Sequence, residues 1–190
     1  MSQHGKRSLA ESLASESDQY LRELTEDLTE SQCRELLYSW RGFWARPSQI
    51  LPGTPGAGDP RSDWLIWLIN AGRGFGKTRT GAETVRQWAE QPSERILMIA
   101  PTGADVRDTM IEGPSGLLQC YPPDGRPVYE PSKRRIIFPS GAAGILRSAD
   151  EPERLRGPQF TKFWADELCA WRFQKRQIAR CARYVICQPI

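Results

Sequence analysis

The chain has 190 residues, with 26 Lys and Arg against 23 Asp and Glu and a formal net charge of +3. This length suits one domain with a helical arm and excludes two complete catalytic domains, because single domains commonly have ~100–150 residues. The 7 Trp, 6 Phe and 5 Tyr suffice for a hydrophobic core, so a chain disordered throughout is excluded. We predict a soluble globular protein whose charge neither requires nor excludes contact with a polyanion.

Two further classes of protein are not expected. The longest apolar run, Trp64–Ile69, is far shorter than the ~20 residues needed to cross a bilayer, and the polar N-terminus has no apolar signal segment. The five cysteines are odd in number and form no Cys-x-x-Cys pair, which indicates neither a disulfide framework nor a zinc site. We therefore expect no membrane partner and a reducing cytoplasmic environment.

The N-terminal part of the chain has a helical pattern. Leucines recur at helical spacing through residues 8–40, and Ser8 followed by Glu11 has the form of a capping box. We predict one or two amphipathic helices within an N-terminal arm, residues 1–51, which either packs on the domain or binds a partner. Residues 52–63 are rich in Pro and Gly and predict a flexible loop.

Strand and helix signals alternate after this loop. Trp64–Ile69 predicts a buried strand, Lys77–Glu90 a helix, and Ile96–Ala100 a second buried strand. Between Tyr121 and Ala149, short β-prone runs separated by Pro and Gly predict hairpin-like strands. The pattern indicates an α/β domain over residues 64–171.

Residues 71–78, AGRGFGKT, lie between a predicted strand and a predicted helix, which is the setting of a phosphate-binding loop. Glycines let the backbone point amides at phosphate oxygens, and the helix N-terminus adds its positive end. Lys77 would reach the β- and γ-phosphates, and the Thr78 hydroxyl would bind Mg²⁺. The motif is a variant because Ala71 occupies its first glycine position, and a purely structural turn is the alternative. The predicted nucleotide-binding residues here are Gly72, Arg73, Gly74, Gly76, Lys77 and Thr78.

An acidic pair follows a second β-prone run. Phe160–Ala165 predicts a strand that ends in Asp166 and Glu167, where ligands of open α/β sheets bind. We assign Asp166 to the metal and Glu167 to orienting and deprotonating the attacking water. Such a pair by itself is more often a solvated strand end, but together with the loop it predicts a nucleotide-hydrolysing domain. The strand Ile96–Ala100 is a candidate to lie between loop and pair in the sheet.

Basic residues give a weaker signal. Lys133, Arg134 and Arg135 form one short cluster on a predicted hairpin. A solvated turn is the preferred interpretation over a DNA contact.

Several segments, taken in order, resemble the ATPase domain of the large terminase subunit of tailed bacteriophages and gene transfer agents, the motor that packages DNA into a preformed capsid. The resemblance implies a P-loop NTPase of the ASCE type, with a mainly parallel sheet flanked by helices. The segments that carry it are Phe43–Gln49, Ala71–Thr78, Thr80–Glu83, Met98–Thr102, Asp105–Asp108, Leu155–Gln159 and Ala165–Glu167.

The resemblance also implies a function. The chain would hydrolyse ATP with Mg²⁺ to move double-stranded DNA into a procapsid, with Gln49 contacting adenine, Arg73 the phosphates and Glu167 the water. Arg156 is similar to the arginine finger that such motors insert into a neighbour's site, although an arginine bound to a structural carboxylate is an equal alternative. The implied partners are double-stranded DNA, a terminase small subunit, the portal and procapsid, and a ring of like subunits in the bacterial host cytoplasm.

The resemblance is lost after Trp171, and residues 172–190 read as a divergent tail. We therefore expect a sheet that is incomplete on its C-terminal side, with the coupling motif and the RNase H-like nuclease domain absent. An acidic strand without its neighbour would expose unpaired backbone groups, so weak or no ATPase activity is expected. Two alternatives to a packaging ATPase stay open: a non-catalytic remnant of such a motor, and a helicase-like nucleic-acid-dependent ATPase.

Overall fold

The computed structural model describes residues 7–61, 64–155 and 159–172, together with the backbone of residues 185–187. The chain divides into two compact units, Met1–Asp63 and Trp64–Ile190. No helix in the described ranges is both long and apolar enough to cross a membrane.

The first unit consists of short helices. They are α1 (Leu9–Leu13), α2 (Asp18–Glu26) and α3 (Glu30–Tyr38), followed by a π-helical turn, Trp40–Trp44, and a 3-10 turn, Pro47–Gln49. The predicted capping box is confirmed, because the Glu11 N–H donates to Ser8 Oγ at 3.1 Å and the Ser8 N–H to Glu11 Oε2 at 3.0 Å. Three helices replace the predicted one or two, since Ser17 and Thr29 each cap a new helix start.

The second unit is built on a seven-stranded sheet with the order β1-β7-β6-β2-β5-β4-β3. Strands β1, β7, β6, β2 and β5 run parallel, whereas β4 is antiparallel to β5 and to β3. The predicted mainly parallel sheet with a hairpin is confirmed. The strands are β1 (Ile66–Leu68), β2 (Arg95–Ala100), β3 (Val128–Glu130), β4 (Arg135–Ile137), β5 (Ala143–Ser148), β6 (Lys162–Ala165) and β7 (Val185–Cys187).

The strand order corrects two expectations. We expected β6 to lack a neighbour on one side, but β7 pairs with it in parallel, Phe163 opposite Val185. β7 contains two β-branched residues, Val185 and Ile186, which favour a strand even in the tail that we expected to diverge. We also considered β2 a candidate to separate the loop strand from the acidic strand. Instead β7 lies between β1 and β6, and β2 pairs with the other side of β6.

Strand β1 is less buried than its composition predicts. Ile66 is 55% and Leu68 56% exposed, and the preceding Leu65 is 63% exposed. The reason is positional, because β1 is the last of the described strands at this end of the sheet and pairs among them only with β7. The prediction of a buried strand at this point was therefore wrong.

Helix α4 (Lys77–Trp88) packs tightly against β6. A Cβ atom built on Gly81 would lie 2.3 Å from the Trp164 ring, so only glycine permits this approach. The same helix buries the Glu83 carboxylate, which accepts hydrogen bonds from Arg79 Nη2 at 2.7 Å and Arg86 Nε at 2.6 Å. This pairing matters because a buried carboxylate without partners is strongly destabilising.

The other face of the sheet carries a second core. Leu97 and Ile99 of β2 and Phe163 and Ala165 of β6 pack there with Trp171 and neighbouring apolar side chains. Apart from α4, the helical elements that the structure describes in this unit are short. They are α5 (Gly103–Asp105), the π-helical stretch Val106–Ile111, and the 3-10 turns Leu117–Cys120, Pro123–Gly125, Pro131–Lys133, Pro152–Leu155 and Leu168–Ala170.

We expect Gly81→Ala to lower the free energy of unfolding by about 1–3 kcal/mol, because the new methyl group would overlap the Trp164 ring. Helix propensity alone predicts the opposite change in the free energy of unfolding, because alanine normally stabilises a helix interior relative to glycine by ~1 kcal/mol. Urea unfolding of the full chain measures the change. Gly103→Ala is the control, since a Cβ there meets nothing within 4 Å. A Gly81→Ala protein as stable as the unmutated chain would contradict the packing argument.

Candidate active site

The loop between β1 and α4 has the backbone conformation of an anion-binding turn. Gly74 has φ 79° and Gly76 φ 83°, and Gly76 directly precedes the first residue of α4. A Cβ at Gly74 would meet no atom within 4 Å, so the glycine is required for its left-handed conformation and not for space. The loop can therefore direct successive amides, and the positive end of α4, at an anion.

Lys77 folds back over this loop. Its Nζ donates to the carbonyl oxygens of Ala71 at 2.9 Å and Gly72 at 3.2 Å. A carbonyl oxygen binds an ammonium group less strongly than a phosphate oxygen does, because a charged acceptor roughly doubles the strength of the hydrogen bond. The ammonium is thus held at the loop in a position from which it can move to an anionic ligand.

Two other loop residues surround this position. Thr78 is half-buried at the start of α4. Arg73 is exposed and has no hydrogen bond or ion pair with another residue of the described ranges. Its guanidinium is free to contact a ligand or to stay in solvent, which are the two roles that the sequence left open.

Asp166 follows β6 at the same edge of the sheet, where the parallel strands end. Its N–H donates to the Ile99 carbonyl at 2.8 Å, and its own carbonyl accepts from Trp171 Nε1 at 3.0 Å. The backbone is therefore fixed from both sides. The side chain is buried, yet Oδ1 has no hydrogen-bond partner. Buried polar atoms without partners are rare and costly, and they indicate a position prepared for a ligand or a cation.

Electrostatics link this carboxyl to the loop. Burial, aided by the charge of Glu167 and more weakly by that of Asp105, raises the pKa of Asp166 to about 7. A hydrogen bond from the Glu167 backbone and the Lys77 ammonium oppose this rise in pKa. Lys77 therefore acts on Asp166 through space, so the structure brings the loop and the acidic strand to one site.

Glu167 differs from Asp166 in its exposure and in its backbone conformation. It is exposed and has φ 45° and ψ 49°, a left-handed conformation that is uncommon for a residue with a side chain. This conformation directs the chain from β6 into the 3-10 turn Leu168–Ala170. Such strain is common where a side chain is held for a functional reason. One carboxylate is thus buried and the next is open to water.

Two residues at this edge had no role assigned from the sequence. Asp105 caps α5 through a reciprocal pair of hydrogen bonds with Thr102, and its charge acts on Asp166. Ser148 ends β5, donates to the Pro101 carbonyl at 3.1 Å and accepts from the Asp150 N–H. The signal for Asp105 was present, because Thr-x-x-Asp directly after a strand is a capping box at a strand's carboxyl end.

Two further residues, Gln49 and Arg156, were predicted to take part in the site. Gln49 is buried in the first unit, where its Oε1 accepts from the Arg46 N–H at 3.0 Å and from Arg46 Nε at 3.2 Å. Its adenine contact stays a prediction. Arg156 lies outside the described residues, and so does its role as an arginine finger. Lys77, Asp166 and Glu167 are therefore the predicted residues that the structure joins electrostatically.

We expect Asp166→Asn to remove a pH dependence of stability. The folded pKa of about 7 lies above the ordinary value of 3.8, so the folded chain holds a proton that the unfolded chain releases. The contribution of Asp166 to the free energy of unfolding is thus favourable at low pH, falls as pH rises from about 4 to about 7, and is lost above it. Asparagine cannot lose that proton, so the variant should gain on the order of 2–4 kcal/mol at pH 8.

Urea unfolding at pH 5 and pH 8, without nucleotide or divalent cation, measures this difference. Asp150→Asn, an exposed carboxylate after β5, is the matched control. Equal pH dependence in the Asp166→Asn and unmutated proteins would show that the buried carboxyl is not protonated as described.

Comparisons with known proteins identify the family and the fold. The family model for "Terminase large subunit, T4likevirus-type, N-terminal" matches residues 68–182. The match includes the loop and the acidic pair and excludes Gln49. It also continues past Trp171, so our expectation that the resemblance ends there was wrong. The sequence has no match among the curated proteins.

Three solved structures are similar to this chain. The large terminase of a thermophilic bacteriophage, in complex with ATP-gamma-S, is 18% identical with a TM-score of 0.55, over 82% of this chain and 36% of that one. A second crystal form of that terminase is 14% identical with a TM-score of 0.55, over 82% and 37%. The ATPase domain of the Thermus phage P74-26 large terminase is 16% identical with a TM-score of 0.49, over 92% and 70%.

The chain thus spans little more than a third of the length of the first two structures. The predicted α/β P-loop fold is confirmed by their likeness. Because the family model covers more than half of the chain, from the end of β1 through the acidic pair, this protein belongs to the terminase large subunit family, T4likevirus-type, and corresponds to its N-terminal part.

Proposed function

We propose that this chain binds ATP with Mg²⁺ and hydrolyses its γ-phosphate to power the translocation of double-stranded DNA into a procapsid. One observation carries the proposal. A buried carboxyl with an unpartnered oxygen, Asp166, lies within electrostatic reach of Lys77 at the start of a helix preceded by a left-handed glycine turn. Nucleotide hydrolysis needs these groups together.

The loop would hold the triphosphate. Amides around Gly72, Gly74 and Gly76 would surround the phosphates, and Lys77 would exchange its two carbonyl partners for phosphate oxygens. Arg73, exposed at the loop, would add a second cation to the γ-phosphate. Gln49 would contact adenine. The complex with ATP-gamma-S of a fold relative supports nucleotide as the ligand.

Asp166 and Thr78 would hold Mg²⁺. The donor set fits, because a carboxylate and a hydroxyl are oxygen ligands, and a divalent cation would complete the unpartnered Oδ1 and favour the ionised carboxylate. Mg²⁺ supplies neutralisation of the negative charge on the phosphates. This role agrees with the few protein ligands at the site, since Mg²⁺ usually keeps several waters.

Glu167 would act on the attacking water. Its side chain is exposed beside the buried Asp166, so it stays accessible to solvent and to a proton from water. Arg156 would offset charge in the transition state of a neighbouring subunit's site. A ring of like subunits, working with a terminase small subunit and the portal in the host cytoplasm, would then convert hydrolysis into DNA movement. The family match supports this assignment of partners.

Lys77→Ala should weaken the binding of ATP to the full chain by at least tenfold, because it removes the mobile cation of the loop. Fluorescence anisotropy with a labelled ATP analogue and Mg²⁺ measures the affinity. Arg126→Ala removes an equal charge at an exposed position and should bind as the unmutated chain does. Equal affinity of the Lys77→Ala and unmutated proteins would overturn the proposed nucleotide site.

Glu167→Gln should separate binding from turnover. The amide keeps the size of the side chain but cannot accept a proton, so the rate of phosphate release should fall by about 10²–10⁴-fold while ATP affinity stays within about twofold. Measurements of both quantities on the same preparations, with DNA present, test this division. An unmutated chain that binds ATP without releasing phosphate under these conditions would instead favour the non-catalytic remnant.

A further inference from the structure

Arg147 of β5 lies at the boundary of two cavities on the half of the sheet away from the phosphate loop. The smaller has a volume of about 210 Å³, and Arg107, Tyr129, Arg134 and Ser148 also line it. The larger is an open groove of about 860 Å³ that Arg134 and Arg147 also line. Both cavities are open to solvent, so a ligand can reach the side chain that they share from outside.

The guanidinium of Arg147 has unused donors. Its Nη1 donates to the carbonyl of the adjacent Leu146 at 2.8 Å, while its Nε is buried and has no hydrogen-bond partner. A guanidinium presents five N–H groups in a planar fork. Buried donors of a charged group are normally satisfied, so this arrangement lacks an acceptor.

The neighbouring arginines already have carboxylate partners. Arg107 binds Asp108 at 2.6 Å, and Arg134 binds Glu151 at 2.5 Å. In contrast, none of the ion pairs among the described residues includes Arg147. Burial first, and then the charges of Arg134 and Arg154, lower the pKa of Arg147, while Glu151 opposes them. The surroundings therefore have an excess of positive charge.

The groove beside the cavity adds to this excess. Among the described residues that line it, Glu153 is the one acidic residue, whereas six are basic. Glu130 and Glu151 pair with four of these and offset part of their charge. The basic lining residues are Arg95, Lys133, Arg134, Arg135, Arg147 and Arg154.

We propose that Arg147 is the centre of a binding site for a phosphate oxyanion, presented either by the backbone of DNA or as free inorganic phosphate. The planar fork of arginine matches the oxygens of a phosphate group, and Tyr129 lines the same cavity. Acidic side chains of the chain already engage Arg107 and Arg134, so the acceptor for Arg147 comes from outside. The DNA source rests on the proposed function, whereas the oxyanion site itself does not.

The test compares Arg147→Gln with Arg126→Gln in a Lys77→Ala background, which disables the phosphate loop. Arg126 is an exposed arginine outside both cavities, so its loss lowers the net charge equally. Inorganic phosphate is titrated against thermal stability. We expect phosphate to raise the Tm of the Lys77→Ala chain and of the Arg126→Gln control, and the Arg147→Gln chain to lose that rise.

A second arm uses labelled duplex DNA at several salt concentrations. The plot of log K against log[salt] should have a slope that is smaller in magnitude by about one in Arg147→Gln than in Arg126→Gln, because only the first variant loses a phosphate contact. A phosphate-dependent rise in Tm that needs Arg147 identifies free phosphate as a ligand. A DNA effect without that rise identifies the phosphodiester. If Arg147→Gln matches Arg126→Gln in both arms, the proposal is wrong.

A measurement on the unmutated chain does not depend on the folding of the Gln variants, and it needs only the conservative Arg147→Lys variant for assignment. The Nε–Hε resonance of Arg147, assigned by its loss in Arg147→Lys, should shift on addition of phosphate or of duplex DNA. An unchanged resonance in both titrations overturns the proposal. ATP binding measured on the same samples reports separately on the phosphate loop.

Discussion

The contact between Gly81 and the Trp164 ring is the constraint on which the candidate site depends. Lys77 begins the helix that contains Gly81, and Asp166 follows the strand that contains Trp164. A Cβ atom at position 81 would come within 2.3 Å of the ring and force the helix away from the sheet. The distance between ammonium and carboxylate is therefore determined by an interaction that contains neither of them. A glycine within a helix weakens it, and close packing on the sheet compensates for this.

The same packing explains the unusual state of Asp166. Burial removes water from the carboxyl, and two nearby carboxylates raise its pKa further, so the group resists ionisation. A cation at Oδ1 would reverse each of these effects, because it supplies the missing partner and an opposite charge. Glu83 on the same helix is the opposite case, since two arginines satisfy its buried carboxylate within the protein itself. The contrast separates a carboxylate that supports the fold from one that is available to a ligand.

Local patterns in the sequence were sufficient for the loop, α4, the capping box and the acidic strand, because each has a short signal in neighbouring residues. Strand order was not predictable in this way. Whether β7 or β2 lies beside β6 depends on pairings between distant residues, and a strand of three residues such as β7 has almost no periodicity. The exposure of β1 follows from its place at the end of the sheet and not from its composition.

The site likewise has residues with a local sequence signal and residues whose part depends on the fold. Lys77 and Asp166 were identifiable from motifs, whereas the part played by Asp105 depends on a through-space charge that only the fold creates. The basic residues are a further example. Lys133 and Arg135 were conspicuous as a run, yet both pair with Glu130. Arg147, a single arginine within a strand, has no ion pair among the described residues and has a buried Nε without a partner. Partners across a sheet decide which charges are available, and a linear sequence does not list those partners.

The left-handed backbone at Glu167 has a consequence for efforts to make this protein more robust. At φ 45° and ψ 49° a glycine is the residue that the main chain itself prefers, by roughly 1 kcal/mol. A laboratory screen that rewards thermal tolerance alone would thus tend to accept glycine here and discard the exposed carboxylate. If relatives keep an acid at this position, selection for its chemistry outweighs the free-energy cost of the left-handed backbone. The residue at position 167 would then indicate whether a given relative still turns over its ligand.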